Sequence, residues 1–411
     1  MKYLLLIFVV FLAGCTSITD EMNKTNETDN STEEEKANYT EVQEEIENPF
    51  GSGFGSPFQR LPSCGSNKEF FTVPHIALSN LNNIVPLGNF NPSGHVFPTN
   101  HLYFHLKGFQ GQSSSSSASI VAPGDIWVTR IDSSEYTMNG QRITDYKMDF
   151  SACEEVKGYF IHLASLSEKL MQSFGQPSNC KEYETGGINY KNCEKSFFSS
   201  PILLKAGEPL GTVGGSSDFG LADLRTPELS YANRNRWYDE PLHRVCPLDY
   251  FIPDVKSNLY SLLGNSDMRR IVEPLCGEVN QDVEGTAQGV WFAKGTKETY
   301  PEDSHIALAH DNINPVKGVF SVGTSVPNLQ VGTYYFNPKN SGFVDREFKD
   351  VNADGNVYCY EPRDGFSDSR FLFVILIQLK NPTSLVIEKQ DLSSCGSGPW
   401  LFGSSYAEFE R

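Results

Sequence analysis

From about Asn48 onward, apolar residues alternate in short runs broken by clusters of Gly, Pro, Asn and Ser, as in Ile126 to Ile131, Tyr146 to Phe150 and Tyr159 to Leu163. Alternation sends every second side chain to one face, so each run is suited to a strand half-buried in a sheet. Stretches with a helical period are few, and Ser165 to Phe174 and Pro253 to Leu263 are the best of them. The residues past Asn48 are too many for one ordinary core. A mainly β chain in two domains is therefore expected, 49–265 and 278–411. In the second, Trp291-Phe292, Tyr334 to Phe336 and Phe371 to Leu379 read as core strands of a β-sandwich or barrel.

The amino terminus sets the compartment. Lys2 is followed by an apolar run from Tyr3 to Phe11 and by Leu12-Ala13-Gly14-Cys15, which has the form of a lipobox. The run is too short to span a bilayer core of about 30 Å, so residues 1–14 read as a cleaved export signal. Cys15 would then be the acylated first residue, and its lipid would anchor the protein on the extracytoplasmic face of a membrane. An ordinary secretory signal is the alternative. Export to an oxidising compartment makes the eight remaining cysteines disulfide candidates. Spacing favours Cys180 with Cys193 across a polar loop, and makes Cys64 with Cys153, Cys246 with Cys276 and Cys359 with Cys395 reasonable pairs. Residues 15–48 form an acidic tether with 11 Asp and Glu against 2 Lys, half of the chain's net charge of −18. Such a composition buries too little apolar surface to offset ordering entropy, and its acidity argues against nucleic acid as a partner. Four Asn-x-Ser/Thr sequons begin there, at Asn23, Asn26, Asn30 and Asn38.

Three stretches carry a family resemblance. Val121-Ala-Pro-Gly-Asp-Ile-Trp-Val128, then Tyr159-Phe-Ile-His-Leu163, then Lys205-Ala-Gly-Glu-Pro-Leu-Gly-Thr-Val-Gly-Gly215 follow one another in the order and spacing of lysostaphin-type (LytM-like) zinc metallopeptidases. The resemblance covers roughly residues 70 to 225 and implies a duplicated-hybrid-motif β-barrel or sandwich. It also implies a zinc ion held by His, Asp and His, with two more histidines acting on the attacking water and the oxyanion. His95 matches the first ligand and His162 a catalytic histidine. Asn100 falls nearest the Asp ligand, one residue late and neutral, which makes it a poor Zn²⁺ ligand. Ser216 stands in place of the catalytic base and Asp218 in place of the closing ligand histidine. His101 and His105 lie roughly 13 Å apart along one straight strand, too far to share an ion, although one of them could join His95, His162 and Asp218. The other reading makes both of them hydrogen-bonding aromatics that alternate with Tyr103. The expectation is a metal-free groove, with zinc as the alternative.

A second metal pattern lies in the other domain. Asp350, Asn352, Asp354-Gly355, Tyr358 and Glu361 match the spacing of a calcium loop. An EF-hand needs flanking helices, yet Val357 to Tyr360 is β-branched and aromatic and Pro362 follows. A β-hairpin turning at Asp354-Gly355 is therefore preferred, with structural calcium on a non-EF loop as the alternative. His305, His310 and Asp311 alternate as in a strand and read as structural. The leading expectation is a lipid-anchored surface protein whose degenerate peptidase-like domain binds a cell-envelope peptide or glycan. The competing reading is an active zinc endopeptidase or amidase, with His95 and Asp218 as ligands and His162 assisting. A structural or adhesive component is the third.

Overall fold

The computed structural model describes residues 61–411 except 110, 112–115, 139, 186 and 187. The export signal, Cys15, the acidic tether and its sequons lie outside the described residues. The first sheet contains β1 (Leu81–Val85), β2 (His101–Leu106), β3 (Ser117–Val121), β4 (Ile126–Met138), β5 (Gln141–Ser151), β6 (Val156–Leu166), β7 (Asn179–Thr185), β8 (Ile188–Ser196), β9 (Ile202–Leu204), β10 (Pro209–Asp223) and β11 (Arg244–Val245). Its main path runs β1-β2-β10-β6-β5-β4-β8-β7 with antiparallel neighbours throughout. The long β10 changes partners along its length, pairing β3 near Gly211 to Gly214 and β2 from Ser216 to Gly220.

Alternation decides what each face of this sheet buries. Leu102, Phe104, Phe160 and Phe219 point into a core shared with Phe71 and Phe150, and all six are at most 1% exposed. The helices α1 (Glu168–Phe174), α2 (Asp239–Leu242) and α3 (Pro253–Tyr260) are short. α1 starts later than its periodicity suggests because Ser165 and Leu166 still pair with β10, and Ser167 caps the helix by accepting from the Leu170 amide. α3 stops at Tyr260 because Leu262 and Leu263 are drawn into pairing with Ile84. Leu248, Phe251, Leu259, Leu263 and Val279 pack into the first core, so the first domain extends past residue 265 to about Val279.

The second sheet contains β12 (Gly289–Ala293), β13 (Ile306–His310), β14 (Gly318–Val322), β15 (Gly332–Phe336), β16 (Tyr358–Tyr360), β17 (Val374–Asn381), β18 (Ser384–Gln390) and β19 (Ala407–Glu410). They run in the order β15-β14-β13-β12-β19-β18-β17-β16 around Trp291, Phe320, Phe336, Phe348 and Tyr360. The molecule is thus mainly β, with two antiparallel sheets. A smaller apolar cluster spans the two units, joining Val96, Phe97, Trp237 and Leu242 to Val290, Phe292 and Ala307.

The four disulfides pair Cys64 with Cys153, Cys180 with Cys193, Cys246 with Cys276 and Cys359 with Cys395, as the spacing predicts. Among the described residues no helix is long and apolar enough to cross a membrane.

Candidate functional site

On the face opposite the phenylalanine core, β2 presents His101, Tyr103 and His105, which lie across from Gly220, Asp218 and Ser216 of β10. On the far side of β10, Asp218 is paired with Ile161 of β6. Strict alternation would send the next residue, His162, to the core. A register shift in β6 against both β5 and β10 interrupts the ladder there, and His162 adopts φ 66°. Bulges of this kind re-aim side chains. A non-glycine residue in left-handed backbone costs on the order of 1–3 kcal/mol and is concentrated at functional sites. The turn brings His162 Nε2 to 3.4 Å from Asp218 Oδ2, while its Nδ1 lies 2.8 Å from Asp145 Oδ2.

Gly220 permits the next contact. A Cβ there would fall 2.3 Å from Cζ of Tyr159, so only glycine lets that ring lie across β10. Tyr159 donates its hydroxyl proton to Asn100 Oδ1 at 2.5 Å and lies 3.2 Å from His101 Nδ1. With its one proton committed to Asn100, the hydroxyl accepts from His101 Nδ1–H. The neutral imidazole then turns a bare Nε2 lone pair toward Asp218 Oδ2, 3.3 Å away. Two acceptors face each other. The opposite proton order would require the Asn100 amide to be turned end for end.

Burial sharpens the contrast. Asp218 is 2% exposed and His101 3% exposed. Among the described residues neither Asp218 Oδ1 nor His101 Nε2 has a hydrogen-bond partner. Burial pulls the His101 pKa down, and the neighbouring Asp218 only partly restores it. His95, whose ring centre lies 5.3 Å from that of His101, is lowered to about 3 by burial and by its fellow histidines. Burial raises the Asp218 carboxyl, but the His101 and His162 imidazoles outweigh it and hold the group below its ordinary range. For His162, burial lowers the pKa, yet Asp145 and Asp218 together hold it well above the usual value.

Two neutral imidazoles and one ionised carboxylate are the donor chemistry that zinc accepts. Ligands about 2.0–2.1 Å from a tetrahedral ion lie roughly 3.4 Å apart, which is the spacing Asp218 Oδ2 keeps from both His101 and His162. Three donors are not yet gathered. Among the described residues, the one His, Cys, Asp and Glu set with ligand atoms all within 4.8 Å of one another is Cys64, Cys153 and Glu155, and its two sulfurs are a disulfide.

Of the residues the resemblance names, His162 lies 3.4 Å from Asp218 and the His95 ring centre lies 5.3 Å from that of His101, without three ligand atoms coming together. Asn100 does not join them, because its amide is engaged by Tyr159. Its neighbour His101 takes the place beside Asp218. Ser216 lies opposite His105, and its hydroxyl has no hydrogen-bond partner among the described residues. His105 turns to Asn83 and stacks on Phe109, so it and His101 do not share an ion. Asp145 and Tyr159 were not recognised as site residues from the sequence. Tyr159 belongs to the Tyr-x-x-His pattern, whereas Asp145 reaches His162 only through the bulge.

The calcium-loop residues face other partners. Asp354 accepts from Asn356 and from the Tyr358 hydroxyl, Asp350 pairs with Arg346, and Glu361 receives the Cys395 amide and Arg370. Asn352 bridges Thr286 through its backbone. The expected hairpin at Asp354-Gly355 does not form either. That pair lies in a loop before β16, and β16 pairs with β17 because the chain leading into it is committed elsewhere. His305 accepts the Ala293 amide and His310 pairs with Glu347 at 2.9 Å, both contacts of a structural kind.

No protein-family model, curated protein or solved structure matches the chain.

Proposed function

We propose that this is a lipid-anchored cell-surface protein whose first domain is a lysostaphin-type metal site with exchanged ligands, acting as a zinc endopeptidase or amidase on the cell envelope. The observation that supports it most is the buried approach to Asp218 Oδ2 of His101 Nε2, a nitrogen with no hydrogen-bond partner among the described residues. The degenerate look of the sequence rests on Asn100 and Ser216 standing where Asp and His belong. His101 supplies the imidazole and Asp218 the carboxylate, so the two-histidine, one-carboxylate set returns with its members in different places. His95 would complete it. Zinc bound there would lower the pKa of a coordinated water and polarise the scissile carbonyl. Tyr159 orients His101 through Nδ1, an outer contact that fixes the tautomer of a ligand. His162 is 39% exposed at its side chain and anchored by Asp145 through Nδ1, and it turns Nε2 toward Asp218.

A second reading, binding without cleavage, is favoured by one observation. Asp145, His162, Asp218 and His101 form a chain of pairs that also neutralises itself if His101 carries a proton at Nε2. Zinc content distinguishes the two. Protein purified without chelator should carry about one zinc per chain, lost in a His101→Ala or Asp218→Asn variant, and His162→Ala should keep the metal while slowing cleavage of envelope peptides. Negligible zinc in the unaltered protein would leave the binding module. Anchoring has its own test, since Cys15→Ser should abolish lipid labelling and release the protein from the membrane fraction.

A further inference from the structure

The loop that presents His95 is held from outside its own domain. Its neck is closed by Gly88 N to Thr99 O at 2.8 Å and Thr99 N to Asn89 O at 3.0 Å. At the tip, Asn91 and His95 exchange backbone hydrogen bonds of 2.8 and 2.9 Å. The next two residues, Val96 and Phe97, are buried against Val290, Phe292 and Ala307 of the second sheet. Phe97 lies parallel to the His305 ring at 5.4 Å between centres. Its amide donates to Glu302 Oε2 at 2.8 Å, and the Val96 amide bonds the same carboxyl group. Glu302 is 9% exposed. A buried carboxyl that spends its oxygens on two successive amides grips the backbone itself, one and two residues from the His95 imidazole.

We infer that Glu302 is a positioning residue for His95, and that the second domain thereby completes the site of the first. The functional consequence rests on the metal reading above, whereas the mechanical link does not. Loss of an outer contact to a ligand typically weakens metal binding about 10–100-fold. Releasing Val96 and Phe97 therefore frees the imidazole from its place against the His101 ring.

The test uses the full chain, with two readouts. Metal-free protein is treated with diethyl pyrocarbonate and modification of His95 is followed by peptide mass mapping, with His310 as the remote control. Zinc affinity is measured by competition with a chromophoric chelator. Glu302→Ala should accelerate His95 modification at least about fivefold and weaken zinc about 10–100-fold, leaving His310 unchanged. Glu302→Gln keeps an acceptor oxygen for the same amides and should behave like the unaltered chain, a rescue that general loosening of the fold would not produce. If Glu302→Ala does not fold, Glu302→Asp, with its carboxyl one methylene short, takes its place. Unchanged His95 reactivity in the folded variant overturns the inference. A chain that takes up no zinc, yet whose His95 responds to Glu302→Ala, upholds the positioning and discards the metal.

Discussion

The two faces of the β2-β10-β6 sheet each bury a histidine, His75 with both ring nitrogens and His101 with Nε2 lacking a hydrogen-bond partner among the described residues, and the neighbours make them different objects. His75, on the core face, has Phe104, Phe160 and Phe219 within 4.3 to 5.2 Å between ring centres, and burial lowers it to about 3. His101, on the other face, looks at a buried carboxylate 3.3 Å away. An unpaired nitrogen among rings has only a desolvation cost. The same nitrogen opposite a carboxylate makes a spot of negative potential that a proton or a metal ion can neutralise. Orphaned polar atoms therefore point to chemistry only when their neighbours agree on the sign of the missing partner.

The comparison can be broken hardest on the core side. Phe219 is fully buried and packs 4.6 Å from Phe160 between ring centres, so Phe219→Ala should cost about 3–5 kcal/mol in urea denaturation. At temperatures where the variant is folded its zinc content should persist. A loss below about 1 kcal/mol would mean that this face is not the core. On the polar side, Asp218→Asn should lower zinc affinity at least about a hundredfold, about 2.8 kcal/mol, while the circular dichroism of the sheet is retained. Zinc held as tightly as before would place the metal elsewhere.

Glu302 sharpens the contrast by pH. Burial raises its carboxyl from 4.5 to about 8, against the opposing pull of the Phe97 and Val96 amides. A raised acid binds its proton more tightly when folded, so its contribution is full below about 4.5 and declines as pH rises through about 8. Glu302→Gln lacks that titration. The stability curves of the two proteins should diverge across this window by on the order of 5 kcal/mol, with the unaltered chain losing ground toward pH 8. Parallel curves from pH 4.5 to 8 would show that the carboxyl is not desolvated as described. The smallest effect is expected at His75. His75→Phe removes two unpaired nitrogens from an aromatic cage and should stabilise by about 1 kcal/mol. A destabilised variant would give that histidine a role the rings conceal.

Much of the framework was legible in the sequence because it depends on local pattern. Alternation located strands at Ile126, Tyr146 and Tyr159, and the cysteine spacing anticipated all four bridges. Among the candidate site residues, the contact of His162 with Asp218 joins two positions that the resemblance singles out on separate strands. Asn100 instead accepts from the Tyr159 hydroxyl, while its neighbour His101 faces Asp218. Adjacent residues at the start of a strand point to opposite faces, and a one-residue shift exchanges them, so spacing could not decide between Asn100 and His101.

The sequence by itself determined a β-rich, disulfide-bridged chain in two parts, since side-chain alternation and cysteine placement are properties of short stretches. Only the tertiary structure decided the chemistry of the cluster. A bulge turned His162 out of the core and toward Asp145, a missing Cβ at Gly220 let Tyr159 reach His101, and a carboxyl 205 residues from Phe97 along the chain took hold of the His95 loop. The calcium-like loop shows the converse, since its spacing is intact while its oxygens are claimed by Arg346, Arg370 and the Cys395 amide. Each of these outcomes depends on which distant groups compete for a side chain, and that competition exists only once the chain is packed.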